Sequence, residues 1–311
     1  MKDFRGKLAV ITGAGTGMGR ELARQLASEG CHVAFCDVFP ENMEETKQAC
    51  EEISPDGTRI SAHQCDVSDE AQVVAFREAV AKEHATDFAH LLFNNAGIGG
   101  GGSMLTDSRE EWDRTFGVCW FGVYYCTRAF LPMLVASPEG YIVNTSSVNG
   151  FWAALRPGVA HTAYSAAKFA VKGFTEALLT DLRVNAPHVK AAVVMPGHVG
   201  TSIAINSRLV HGRSSIADMA SSELEEMRTR MARQGMPTEG VSDEQLKAAI
   251  QKGAEDFRDK APVTAAQAAT IILDGVRNEE WRILIGEDAH ALDRRVRERP
   301  EQAYDLPFER P

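Results

Sequence analysis

The stretch that most constrains this chain is Leu8–Ile11 followed by Thr12-Gly13-Ala14-Gly15-Thr16-Gly17-Met18-Gly19. A short apolar run turns at once into a loop with glycine at every second position. An amphipathic segment from Met18 to Glu29 follows, with Leu22 and Leu26 on one face. Glycine lets a backbone turn tightly and lets a ligand approach it closely. A helix beginning there aims free N–H groups and the positive end of its dipole at whatever sits in the loop. The next apolar run, Val33–Cys36, ends in Asp37, 18 residues after Gly19. A strand, a glycine loop, a helix and a second strand ending in an acid suit a dinucleotide. Gly13, Gly15, Thr16, Gly17, Met18 and Gly19 are expected to cradle its pyrophosphate, and Asp37 to accept from both adenosine ribose hydroxyls. The Asp37 carboxylate would repel a 2'-phosphate, and no Arg or Lys inside the loop or directly after Asp37 offsets it. NAD is therefore favoured over NADP.

Short apolar runs recur at Leu91–Phe93, Tyr141–Val143, Ala191–Val194 and Arg282–Ile285. Helical stretches separate them, such as 69–84 with Val73, Val74, Phe76 and Val80, and 264–277. Runs of this kind suit parallel strands covered on both faces. The alternation predicts an α/β fold, a single-domain Rossmann-type doubly wound parallel sheet with helices on both faces, spanning 1–311. The region 202–260 is rich in charge, Ser and Met and reads as an insertion that covers the substrate. The charged tail at 287–311 is expected to wrap the surface or a neighbouring subunit.

Charge and composition exclude other classes. A net charge of -10 disfavours nucleic acid as a partner. No signal peptide is apparent at the N-terminus, and no window reads as a run of about 20 apolar residues, so no membrane partner is expected. The six cysteines form no CxxC pair and suit reduced thiols in a cytoplasmic protein. The nine histidines show no HExxH or similar spacing, so no catalytic metal is expected.

Tyr164-Ser165-Ala166-Ala167-Lys168 places a phenol and an ammonium on one helical face. A tyrosine near pKa 10 is a poor base at neutral pH. A neighbouring lysine and a positive nicotinamide both favour tyrosinate, which can then exchange a proton with an alcohol.

In combination, the TGxxxGxG loop at 12–19, Asn94-Asn95-Ala96-Gly97, Ser146-Ser147, the YxxxK at 164–168 and Pro196-Gly197 with Thr201 resemble the short-chain dehydrogenase/reductase family. The resemblance runs to about residue 285. It implies that Ser147 hydrogen-bonds the substrate oxygen, that Tyr164 is the acid/base, and that Lys168 holds the nicotinamide ribose. It further implies that Asn94, with Asn95, Ala96 and Gly97, supports the cofactor and the sheet. Asp66 and Val67 line the adenine, Asp66 accepting from its amino group. Pro196, Gly197, Val199 and Thr201 seat the nicotinamide amide. Two departures stand out. Cys119 falls where the family has a catalytic Asn whose side chain steadies a helix kink and whose exposed carbonyl serves a proton relay. The spacing from Ser147 to Tyr164 is also long, and the surplus falls in Phe151–Gly158.

Phe151, Trp152 and Leu155 are expected to wall an apolar substrate site, with Met195 facing it and Met219, Met227 and Met231 capping it. The resulting expectation is hydride transfer between NAD and an apolar secondary alcohol or its ketone, such as a steroid, terpenoid or aliphatic alcohol, by a homodimer or homotetramer. The alternative is a dinucleotide-binding sensor or scaffold with weak catalysis, supported by Cys119 alone. Dehydration or epimerisation on the same scaffold has less support, since no sugar-nucleotide module is present.

Overall fold

The computed structural model describes residues 1–153, 159–233, 235–302 and 304. The strands are β1 (Leu8–Thr12), β2 (His32–Asp37), β3 (Ile60–Gln64), β4 (Leu91–Asn94), β5 (Gly140–Thr145), β6 (Val189–Pro196), β7 (Val199–Gly200), β8 (Val263–Thr264) and β9 (Arg282–Ile285). Seven of them form one parallel sheet in the order β3-β2-β1-β4-β5-β6-β9, and β7 pairs with β8 beside it. The helices are α1 (Gly17–Ser28), α2 (Pro40–Glu51), α3 (Glu70–Glu83), α4 (Arg109–Phe116), α5 (Gly122–Ala136), α6 (Thr162–Asn185), α7 (Ile203–Val210), α8 (Ser221–Arg233), α9 (Asp243–Asp259), α10 (Ala265–Arg277) and α11 (Glu287–Glu298). This is the expected Rossmann-type α/β fold.

Alternate residues of each central strand serve opposite faces. Ile11, Phe35, Phe93 and Val143 pack with Leu22, Leu26, Ile272 and Leu273 of α1 and α10. Val10, Leu92 and Ile142 pack on the other side with Phe76, Phe130 and Leu178 of α3, α5 and α6. Burial on both faces is why these strands read as unbroken apolar runs. The edge strand β3 escaped that reading. Its sequence Ile-Ser-Ala-His-Gln is only partly covered, so no apolar run marks it. All six cysteines are free, buried thiols.

Three sequence expectations need correction here. The helical stretch Arg109–Ala136 does reach the length and apolarity of a membrane span, with half of its most apolar window buried. A π-helical turn at Gly117–Phe121 interrupts it, and Val123, Cys126, Phe130 and Leu134 pack into the sheet core. The tail does not simply wrap the surface. Residues 287–298 form α11, whose Ala289 and Leu292 complete a third core cluster with Val148, Phe151, Trp152, Val193 and Met195. The methionines of 202–260 belong mainly to a small core of that segment, where Met219 packs with Ile216, Leu224 and Leu246, and Met231 lies against them.

Two buried histidines make the fold acid-sensitive. His90 Nδ1 accepts from Leu8 N–H at 3.0 Å, which requires a neutral ring. Burial, aided by Lys7, pulls it down from 6.5 to about 4. His84 ends α3 with Nε2 2.9 Å from Ser61 Oγ, and burial first, then Arg59, lowers it to about 4. The unfolded chain takes up these protons near pH 6.5, the folded chain only near 4. Their contribution is therefore complete above about pH 6.5 and is lost as pH falls from 6.5 towards 4. By pH 4.5 each ring is expected to have cost about 2 kcal/mol of stability. Denaturant melts between pH 7 and 4.5 check this. His90→Asn, whose Oδ1 can still accept from Leu8, should flatten the pH dependence, and an unchanged slope would contradict the assignment.

Candidate active site

The crevice opens where the chain, having built β3-β2-β1 on one side, crosses to β4 on the other. In such sheets ligands settle beyond the carboxyl ends of the strands at this switch point. The glycine loop there is stitched to the segment after β4. Asn95 Nδ2 donates to Thr12 O (3.2 Å) and Gly13 O (3.1 Å), while Thr12 Oγ1 accepts from the N–H groups of Asn95 (3.0 Å) and Ala96 (3.1 Å). Gly13 sits at φ +66°, and a Cβ on it would come within 2.6 Å of Ala96 Cα. A Cβ on Gly19 would meet Gly13 O at 2.2 Å, so both positions demand glycine. Helix α1 starts after Thr16 with no side-chain cap and no acid in its first turn. Its leading N–H groups are left for an anion.

A cavity of about 140 Å³, open to solvent, lies against this loop. Gly13, Thr16, Gly17, Met18, Asp37, Asp66, Val67, Asn95, Ala96, Gly97 and Thr201 all line it. Gly15 and Gly19 shape the loop from behind. Pro196 ends β6 opposite Ile285, and Gly197 N–H donates to Ile285 O at 2.9 Å. Val199 is packed in the core. The sequence reading missed Val38, Phe39, Arg114, Ile203 and Asn206, which also line the crevice. Asn206 Nδ2 reaches across it to Thr16 Oγ1 at 3.1 Å. No sequence pattern announces a contact between residues 190 positions apart.

Asp37 is held by backbone. Its Oδ2 accepts from Gly15 N–H (2.8 Å), and its Oδ1 from Val38 N–H (2.7 Å) and Phe39 N–H (3.2 Å). The nearby Arg20 donates through Nε and Nη2 to Gly15 O, Asn42 O, Thr46 and Glu45. Asp66 is also occupied. Its Oδ1 accepts from Ser68 N–H (3.0 Å) and Oγ–H (2.7 Å), and its Oδ2 from Arg114 Nη1 (2.5 Å). Burial opposes ionisation of this carboxyl, yet Ser68 and Arg114 together hold it below the usual carboxylate range.

Ser147, Tyr164 and Lys168 converge beside the crevice. A buried polar chain ties α6 to the sheet: Asn94 Nδ2 donates to Asn144 Oδ1 (2.8 Å) and Thr127 Oγ1 (2.9 Å), and Asn144 Nδ2 donates to Thr175 Oγ1 (2.9 Å). Ser146, after β5, turns away from the crevice and donates to Lys168 O at 2.7 Å. Ser147 Oγ accepts from Asn149 N–H at 3.1 Å and bonds the Tyr164 phenol. Lys168 Nζ donates to Thr145 O at 2.8 Å and lies 5.5 Å from the centre of the Tyr164 ring. A Cβ on Gly97 would lie 3.4 Å from Lys168 Nζ and 3.8 Å from Cys119 Sγ, so the group abuts the crevice there.

The electrostatics differ from the sequence expectation. Burial pushes the Tyr164 phenol well above its ordinary value, Cys119 adds to this, and only the Ser147 hydrogen bond opposes it. Burial lowers the value of Lys168 as well, and one of its donors goes to the Thr145 carbonyl.

Cys119 sits in the π-helical turn and is fully buried. Its Sγ donates to Ile98 O (3.2 Å) and accepts from Ile98 N–H (3.4 Å). A thiol is a weak donor and acceptor, but here it makes both bonds that an amide could make to this peptide. The widened turn therefore persists without asparagine. Restoring the stronger amide with Cys119→Asn is expected to raise kcat about threefold, a small fraction of a typical acid/base contribution. Steady-state kinetics decide, and an unchanged or lower kcat would mean that the proton relay runs elsewhere.

The expected apolar wall is not assembled as foreseen. Trp152 is completely buried, with Arg295 5.0 Å from its ring and the Tyr304 ring 6.1 Å away. Phe151 and Met195 share that core, because α11 covers them. Leu155 lies outside the described residues.

Comparison with known proteins identifies the family. The family model for short chain dehydrogenases matches residues 7–210. The Mycobacterium tuberculosis oxidoreductase SadH is 33% identical over 294 residues, covering 94% of this chain and 91% of SadH. A short-chain dehydrogenase/reductase from Burkholderia phymatum, solved with NAD, superposes with a TM-score of 0.77 at 29% identity, covering 99% of each chain. A metagenomic short-chain oxidoreductase solved with NADP gives 0.55 at 32% identity, covering 62% of this chain and 83% of that one. With the glycine loop, the Ser147–Tyr164–Lys168 group and the switch-point crevice in place, the chain belongs to the short-chain dehydrogenase/reductase family of oxidoreductases.

Proposed function

We propose that this protein transfers a hydride between NAD and an alcohol or its ketone. The observation that carries the reading is the convergence of Ser147, Tyr164 and Lys168 beside the glycine-lined crevice. When bound, the nicotinamide accepts or delivers the hydride and, in its oxidised form, brings a positive charge to the phenol. Ser147 holds the substrate oxygen, and Tyr164 Oη exchanges the proton with it. Lys168 orients the cofactor ribose from its anchor on Thr145 O. Gly13, Thr16, Gly17 and the uncapped start of α1 take the pyrophosphate. NAD is preferred because Asp37 places a fixed negative charge at the ribose and the nearby Arg20 already pairs with Glu45.

The α7–α9 segment covers the substrate, a role favoured by the Asn206–Thr16 contact across the crevice. Oligomerisation through α5 and α6 is supported by Phe121, Phe169 and Val184, which these helices or the turn before them leave exposed. The test is absorbance at the NADH band with steroid, terpenoid and aliphatic alcohols. No turnover across the panel, with NAD bound, would favour the sensor or scaffold reading.

A further inference from the structure

The turn that carries Ser147 is tied to the helix that carries Tyr164 by a buried amide that takes no part in the chemistry above. Asn149, two residues after Ser147, is 3% exposed. Its Nδ2 donates to Ser165 Oγ at 3.2 Å and to Ala153 O at 3.5 Å. Ser165 Oγ–H donates in turn to Ala153 O at 2.9 Å, so the three groups close a small polar ring. Ala153 is itself held, its N–H donating to Tyr304 Oη at 3.0 Å. On the main-chain side, Asn149 N–H donates to Ser147 Oγ at 3.1 Å. A hydroxyl that accepts there keeps its single proton for the phenol or for a substrate oxygen. The backbone position of Asn149 thus sets where the Ser147 proton points.

Ser147 and Tyr164 stand 17 residues apart, with the surplus of Phe151–Gly158 between them. Added residues raise the entropy lost in bringing the ends of a connection together. The register between the two hydroxyls therefore depends on ties from the turn to α6. At the far side of the turn, Ser146 Oγ donates to Lys168 O, and a Cβ on Gly150 would lie 2.8 Å from that same carbonyl. At the near side the tie is Asn149 to Ser165, the residue that directly follows Tyr164. We infer that Asn149, acting through Ser165, is a positioning residue that fixes Ser147 Oγ against Tyr164 Oη. This rests on the proton-exchange reading above and adds to it the device that sets the distance.

Asn149→Ala cuts the tie and leaves both reacting side chains unaltered. Alcohol oxidation is followed at the NADH band, with testosterone, menthol and cyclohexanol representing the panel above, and the fastest of them is used throughout. A fall in kcat of about tenfold is expected, within what a misplacement of about an ångström can cost. KM for NAD should stay within about twofold, because the tie bonds no residue of the glycine loop. The phenol is faced by Ser147, Lys168 and Cys119, and the Ser147 hydrogen bond opposes the burial that keeps it protonated. Loosening that bond should move the alkaline rise of kcat upward by about one pH unit, the worth of one hydrogen bond. Ser165→Ala should act in the same way from the other side. The double variant should lose no more than either single one, since both remove one contact. Unchanged kcat and pH profile in both single variants would overturn the inference, as would losses that multiply in the double variant. A fall in kcat matched by an equal rise in KM for NAD, with the profile in place, would also overturn it, as the mark of general loosening. Should Asn149→Ala fail to fold, Ser165→Ala, which removes one hydroxyl, decides by the same readouts. No turnover across the panel by the unmodified protein would overturn the proton-exchange reading and this inference with it, a result distinct from those above.

Discussion

Replacing Tyr164 by phenylalanine is expected to lower kcat about a thousandfold while leaving NAD affinity within about twofold, since positioned proton transfer contributes roughly 10²–10⁴ in rate. The phenol touches Ser147 and stands beside Lys168, so removing one oxygen leaves the packing of α6 intact. The direction of its perturbation adds a second readout. Burial holds the phenol protonated and Cys119 reinforces this, against the Ser147 hydrogen bond. Alcohol oxidation requires the deprotonated form, so its rate should climb with pH through the alkaline range. Ketone reduction requires the proton, so its rate should fall over the same range. Stopped-flow measurement of both directions at constant ionic strength tests this. Retention of more than a tenth of the turnover by Tyr164→Phe would remove the phenol from the chemistry.

The second large effect concerns Asp37. Its three backbone donors keep the carboxylate at the crevice in one orientation. A 2'-phosphate arriving there would bring nearly two like charges within a few ångströms, a repulsion of about 2–3 kcal/mol after partial screening. Asp37→Ser removes that charge and opens space. The ratio of NADP to NAD affinity is expected to rise about a hundredfold. Affinity for NAD itself should fall, because the Gly15, Val38 and Phe39 N–H groups lose their acceptor. Taking the ratio separates this general loosening from the change in selectivity. Equal losses for the two dinucleotides would show that Asp37 only braces the glycine loop.

Local chemistry made much of the site legible. Gly13 and Gly19 can be nothing larger, because backbone crowds both positions. Asp37 ends its strand beside the loop, and Tyr164 and Lys168 share a helical face four residues apart. All but the crowding of Gly13, which comes from Ala96, depend on neighbours close in the chain. The π-helical turn holding Cys119 was also partly visible, as a departure from a familiar pattern. The structure added that the thiol keeps both bonds to Ile98.

Periodicity and loop geometry along the chain thus determined the α/β fold and the glycine-lined crevice, and the family resemblance pointed to Ser147, Tyr164 and Lys168. Contacts between distant segments decided the rest. Trp152 and Met195 read as a substrate wall until α11, about 140 residues after Trp152, covered them. The membrane-length apolar run became a core helix because a sheet lay beneath it. The Asp66 carboxylate went to Arg114, 48 residues away. The sequence shows how hydrophobic or charged a side chain is, but only the packed fold shows which partner satisfies it. Burial, which raises Tyr164 and lowers His84, His90 and Lys168, has no local signature.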